Sequence, residues 1–401
     1  MVRAAHNLQN TGEAAKAPLM EKIDPYIEWQ KKEGVRGIGG IYVRDLRAVE
    51  LGEWPRKGVK GGVVYLDGDN LCDVHVVEIP PGQSTTPEHH MYDEGIYILS
   101  GRGAATIWFD ENTKQTFEWA EGSFFALPTN AWYQFFNGSG TEPARYYSVT
   151  NLPTLLRQFH NEDFVFDNPF SFTDRFAGEH NYFSGAGKLW RGRVWETNFV
   201  PDLRTMKLWE WKERGGGGTS ASFMMAGRSL QSHISRFQPG TYKKGHSNNA
   251  GSHIFIVSGG GYTTTQRDQV LGVRGDEPML RYDWEPGSLF VSGCGPGDWY
   301  HQHFNVSPDP ATYLVIKVNG ARRYATDRWD IEVPSDREGA ADLSVKEGGT
   351  QTEYRDEDPD VHRVFEEELR RRGAICRMKA LSPFCTGELG PTEKGEWGDE
   401  H

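Results

Sequence analysis

GIYILSGRG, residues 95–103, returns further along the chain as HIFIVSGGG, residues 253–261, and this pair decides how the rest is read. The flanks repeat with it, in the same order. VRDLRAVELGEWPRKG from Val43 resembles VPDLRTMKLWEWKERG from Val200, and HVVEIPPG from His75 resembles HISRFQPG from His233. FEWAEGSFF from Phe117 resembles YDWEPGSLF from Tyr282, and WYQFFN ending at Asn137 resembles WYHQHFN ending at Asn305. The interval from Gly82 to Gly101 equals that from Gly240 to Gly259. Conserved order with conserved spacing marks an internal duplication, with copies at residues 43–151 and 200–319.

Each copy reads as β. VHVVEI, GIYIL, ATIWF, SFFAL and YYSVT are short apolar, β-branched or aromatic runs, separated by PPG, SGRG, DENT and NGSG turns. Many short antiparallel strands in so small a unit predict an all-β sandwich or jelly roll. Helices are expected only at the margins. One follows Asp24-Pro25, a capping residue before a first-turn proline. The other is HRVFEEELRRRG from His362, ending at Gly373, with the acidic YRDEDPD before it as a cap rather than a calcium loop. The expected order is an N-terminal arm (1–42), the first barrel, an aromatic-rich segment (152–199) packed across both barrels, the second barrel, and an extension (320–401) frayed from about residue 380.

The 401 residues suffice for two separate cores. A net charge of −12 argues against nucleic acid or an anionic membrane surface as partner. No apolar run reaches membrane-span length, and the first twenty residues lack the apolar stretch of a secretory signal, so a cytoplasmic protein is expected. Four scattered cysteines without CxxC spacing favour a reducing compartment, and neither a disulfide framework nor a zinc knuckle. The glycine-rich stretches at Gly215 and Gly259 lack the lysine and helix of a phosphate loop.

PEHHMYDE, beginning at Pro87, sets two histidines side by side, whereas ligands sharing one strand face alternate. With the duplication, this segment resembles the cupin superfamily in its two-domain, bicupin form. The resemblance covers both copies. It implies two tandem jelly-roll (double-stranded β-helix) barrels, each able to hold a divalent metal on two histidines in H-x-H spacing, a glutamate and a later histidine ahead of an asparagine. In the first copy those positions fall on Glu88, His90, Glu94 and Tyr133, which turns His89 outward. In the second they fall on His246, Asn248, Ser252 and His301.

Neither copy keeps the complete set, so an oxalate-decarboxylase-like assignment fits poorly. The second can assemble three histidines from His246, His301 and either His303 or, by a one-residue bulge in GHSNNAGSH, His253. A three-histidine site resembles that of gentisate-type dioxygenases, and without a carboxylate it leaves the metal more net positive charge for an anionic substrate. The first copy can hold a metal with less selectivity for iron, or its polar residues can satisfy one another by hydrogen bonds. The resemblance therefore implies a metal-dependent enzyme, with Fe(II) favoured and Mn, Ni or Zn possible. A dioxygenase acting on a small organic or aromatic acid leads, ahead of a lyase, isomerase or hydrolase and of a non-catalytic binding protein. Asn248 and Trp299 are the candidate substrate-binding residues, and a homodimer or higher homo-oligomer is expected.

Overall fold

The computed structural model describes residues 23–66, 71–227, 230–249, 252–270, 273–274, 279–293, 298–318 and 342–387. The capped helices form where expected. Pro25–Glu33 starts at Asp24 and stops at left-handed Gly34, and Pro359–Arg371 starts at Asp358 with left-handed Gly373 beyond its end. Among the described residues no helix is long and apolar enough to cross a membrane.

Each copy is two facing sheets. In the first, an eight-stranded sheet runs Arg36–Gly40, Val59–Leu66, Asp73–Ile79, Ala144–Thr150, Glu94–Ser100, Phe124–Ala126 and Phe199–Val200, with Gly52–Trp54 beside the second of these. Three strands face it: Trp132–Asn137, Arg102–Trp108 and Gln115–Ala120. The second copy repeats the central order as Thr219–Met224, Leu230–Phe237, Ala311–Val318, Ser252–Ser258 and Leu289–Val291, opposite a five-stranded sheet.

The large sheets are covered on both faces, which explains runs as continuously apolar as VHVVEI. Val77 and Ile79 enter the first barrel's core, while Val74 and Val76 join a cluster shared between barrels. Phe124 and Tyr147 from the first copy meet Phe223, Phe255 and Leu314 from the second in that shared cluster.

The copies also exchange edges. Tyr42–Val43, from the start of the first copy, pairs with Leu289–Phe290 of the second barrel. Phe199–Val200, from the start of the second, pairs with Phe124–Phe125 of the first. The Asp-Leu-Arg that follows each strand then docks on the other barrel: Leu46 N–H donates to Gly287 O and Leu203 N–H to Gly122 O, both at 2.9 Å. Gly122 and Gly287 have φ of 91° and 100° and lie against the incoming Asp202–Arg204 and Asp45–Arg47 pairs, so both conformation and space call for glycine.

Residues 152–199 do pass from one barrel to the other. They also carry two helices that the sequence reading placed nowhere, Leu152–Phe159 and Glu162–Phe166. Leu152, Leu156, Val165, Phe176 and Phe183 bury in the first core, and Val194–Glu196 then pairs in parallel with Ser222–Met224. Helices this short gain their stability from tertiary packing, so their periodic signal is weak. A second correction concerns the extension. It is not frayed from residue 380: Ser382 and Cys385 are buried. The remainder of that expected tail, from 388 onward, lies outside the described residues.

Candidate functional site

In the first barrel, Glu88 sits across from Tyr133 through reciprocal backbone hydrogen bonds of 3.1 and 2.9 Å, so both side chains enter the same interior. His90 and Glu94 join them, and all four are buried. His89 does not: it is half-buried, bonded to Asn130 at 2.9 Å, with its ring against Trp132. His90 Nδ1 lies 2.9 Å from Tyr92 O, and Nε2 lies 3.1 Å from Glu94 Oε2 and 3.2 Å from the Tyr133 hydroxyl. Ser148 donates to the other oxygen of Glu94.

A fifth group, absent from the sequence reading, completes this cluster. Lys57 is 1% exposed, is ion-paired to Glu88, and places Nζ 3.2 Å from the Tyr133 hydroxyl. Burial opposes ionisation of Glu94, but the Lys57 ammonium, then the His90 hydrogen bond, outweigh it and hold the carboxyl well below its usual range. Burial in turn keeps His90 below the ordinary imidazole value. The interior is a buried polar network in which Lys57 is ion-paired to Glu88. A cleft of about 470 Å³, between Glu88, His89, Trp132 and the Glu162–Phe166 helix, leads down to Glu88.

The second barrel is built differently. His246 pairs directly opposite His301 across two antiparallel strands, with ring centroids 4.1 Å apart. His303 lies two residues on, on the same strand face, with its ring 5.3 Å from that of His301. His303 Nδ1 is bonded to Thr263 Oγ1 at 2.8 Å, and His301 Nδ1 to Trp299 O at 3.3 Å. His246 Nδ1 makes no hydrogen bond among the described residues.

Burial, then nearby cations and imidazoles, hold His246 and His303 well below their ordinary value, and burial brings His301 to about 3. All three are therefore neutral, the form that ligates metal. Trp299 shares their strand face and is buried. The backbone of Asn248 pairs with Trp299, while its side chain lies outside the described residues.

His253 lies elsewhere. Within the described residues His253 pairs in register with Ile316 and Val291, while Ala250 and Gly251 of the expected bulge lie outside them. Ile254 and Ile256 face the barrel core, and Phe255 faces the inter-barrel cluster. By alternation His253 shares the face of Phe255, away from His246 and His301. The histidines of this barrel also stop short of a preformed chelate: among the described residues, no three His, Cys, Asp or Glu donor atoms in either barrel lie within 4.8 Å of one another. The donor chemistry fits a divalent ion, and closing on it requires one imidazole to turn.

The two interiors correspond position by position. Lys57 and Arg214 occupy the same place in the quoted repeat, each near the tryptophan three residues before it, 5.5 Å over Trp54 and 5.0 Å over Trp211. Glu88 corresponds to His246, Glu94 to Ser252 and Tyr133 to His301. Both cations are buried, yet the first faces a carboxylate where the second faces an imidazole. A basic residue recurring at one repeat position was the signal that could have revealed them. Lys243, also buried and bonded to Ser235 Oγ, left no such signal, because its counterpart in the first copy is Thr85.

Residues 75–150 match the cupin domain family. The match covers the first barrel, and the second barrel repeats its central strand order. Solved structures that resemble it include Bacillus subtilis oxalate decarboxylase at pH 4.6, with 15% identity, TM-score 0.43, and coverage of 70% of this chain and 76% of that one. A variant of the same enzyme aligns with 15% identity and TM-score 0.45, over 73% of this chain and 81% of that one. No curated protein sequence matches.

Proposed function

We propose that this two-barrel protein is a metal-dependent enzyme whose reaction centre is the second barrel, and that it is a dioxygenase acting on a small organic or aromatic acid. One observation carries the reading: three buried, neutral imidazoles, His246, His301 and His303, gather in one barrel interior, two of them directly opposite one another across paired strands. His246, His301 and His303 hold the ion, which would be Fe(II), with Mn, Ni or Zn as alternatives. When bound, such an ion supplies a Lewis-acidic, redox-capable centre with open positions.

The chain's own groups do the rest. The Arg214 guanidinium binds the acid's carboxylate in a charge-assisted pair. Trp299 walls the site, and burial keeps water out. Lys243, whose ammonium form is disfavoured by burial and then by Arg214, carries the amine that can take up a proton in the reaction. That amine favours a second reading, a metal-dependent lyase, isomerase or hydrolase that moves protons without consuming oxygen. Oxygen uptake by metal-loaded protein with a panel of small carboxylic acids separates the two. Oxygen-dependent turnover that vanishes in His301→Ala supports the dioxygenase, turnover without oxygen supports the second reading, and protein devoid of second-barrel metal overturns both.

A further inference from the structure

The C-terminal extension gathers donor atoms more tightly than either barrel. Helix Pro359–Arg371 lies against the second barrel through Phe365 and Leu369, which pack with Tyr242, Tyr262 and Phe304. The chain reverses at Gly373 and returns along the helix, tied to the barrel where Arg377 N–H donates to Gly240 O at 2.8 Å. His362 and Glu366, four residues apart, share one helix face. The returning segment brings Cys376 and Cys385 onto that face.

His362 Nε2 lies 3.0 Å from Glu366 Oε1 and 3.9 Å from Cys376 Sγ, and the two sulfurs are 3.6 Å apart. All four donor atoms lie within 4.8 Å of one another, the one such set of His, Cys, Asp and Glu among the described residues. A tetrahedral ion with bonds of roughly 2.0–2.3 Å holds its ligands at separations of this order. Both cysteines are free thiols, Cys385 and His362 are buried, and Cys376 and Glu366 are partly so.

The surroundings point the same way. Tyr242 donates its hydroxyl hydrogen to Glu357, which also accepts from Gln302 Nε2 at 3.2 Å. The Tyr242 oxygen is thereby left to accept from His362 Nδ1, 3.1 Å away. That fixes the tautomer: Nδ1 carries the hydrogen and Nε2 presents a lone pair. That lone pair faces a carboxylate oxygen at 3.0 Å and a sulfur at 3.9 Å. Two acceptors in contact in a buried place need a cation between them. Arg370, 3.8 Å from the second oxygen of Glu366, balances the surplus negative charge of two thiolates and a carboxylate around a divalent ion.

We infer that His362, Glu366, Cys376 and Cys385 form a closed, structural site for one divalent cation of zinc type, which clasps the returning segment to the helix. Two thiolates select a soft ion, and four protein ligands leave no position for substrate. Uptake displaces the two thiol protons.

The full chain, purified under reductant, tests this apart from any activity. Cobalt substitution should produce a near-ultraviolet sulfur-to-cobalt charge-transfer band, with loss of one equivalent of bound metal in Cys376→Ser and in Cys385→Ser. His301→Ala, a barrel variant, should keep the band, so the outcome is independent of the proposed reaction centre. Metal content and spectrum unchanged by either cysteine substitution would overturn the site, as would a Cys376–Cys385 disulfide in protein that binds no zinc after reduction.

Discussion

Replacing Lys57 by methionine removes the ammonium from the first barrel while keeping most of the stem's volume, so little cavity is created. Lys57 and Glu88 side chains are 1% and 9% exposed, so water cannot take over the lost interaction. Deleting one partner of a buried ion pair costs about 3–5 kcal/mol, and here Glu94 also loses the main charge that keeps it ionised. The pH dependence has a defined sign. In the native protein the folded pKa of Glu94 lies below the ordinary 4.5, so its contribution is present above that value and is lost as pH falls through the folded pKa. Without Lys57 the largest charge opposing burial is gone, so the folded pKa rises and the carboxylate's stabilising share near neutrality shrinks. The deficit of Lys57→Met should therefore be largest near neutrality and shrink toward about pH 4.5, where the carboxyls take up protons. Adding Glu88→Gln should recover a substantial part of it. Urea unfolding of the variants at both pH values, followed by tryptophan fluorescence, measures this. A loss under about 0.5 kcal/mol, an equal loss at both pH values, or a stoichiometric metal that disappears in His90→Ala would show that Lys57 is not the first barrel's cation.

In the second barrel, His246→Ala and His303→Ala should each lose the barrel's bound metal in elemental analysis, whereas His253→Ala should retain it; equal losses from all three would contradict the strand register. Metal-free protein should be acid-sensitive through His301, whose folded pKa of about 3 lies below the ordinary 6.5, so that the unfolded chain binds the extra proton. Its share of the stability is complete above 6.5 and falls on acidification, by about 2 kcal/mol at about pH 5. A denaturation midpoint as steep in pH for His301→Gln as for the parent would refute that. Phe255→Ala, at the inter-barrel cluster, should cost about 3–5 kcal/mol, and a urea midpoint left unmoved would deny the barrels a shared core. Light scattering at micromolar concentration should give at least a dimer mass, and a monomer mass would count against self-association.

The amino-acid sequence by itself determined the duplication and its strands. Alternation, turn residues and repeat spacing are local, so GIYILSGRG and HIFIVSGGG announced matching strands before any contact was known. The resemblance to the cupin motif, rather than local alternation, put Glu88, His90, Glu94 and Tyr133 together, and His246 with His301. Tertiary structure decided what those positions face. Lys57 and Arg214 reach the interiors from loops distant in sequence, and whether such a cation meets a carboxylate or an imidazole depends on packing across the barrel. The reciprocal exchange of Tyr42–Val43 and Phe199–Val200 was hidden for the same reason, since an edge strand pairs equally well in principle with its own sheet or its neighbour's. His253 stayed ambiguous because a single bulge reverses a strand's faces, and only the observed register removes that freedom. Cys376 and Cys385 looked scattered because metal spacing is a property of folded distance, and a reversal at Gly373 brings both to the face of His362 and Glu366.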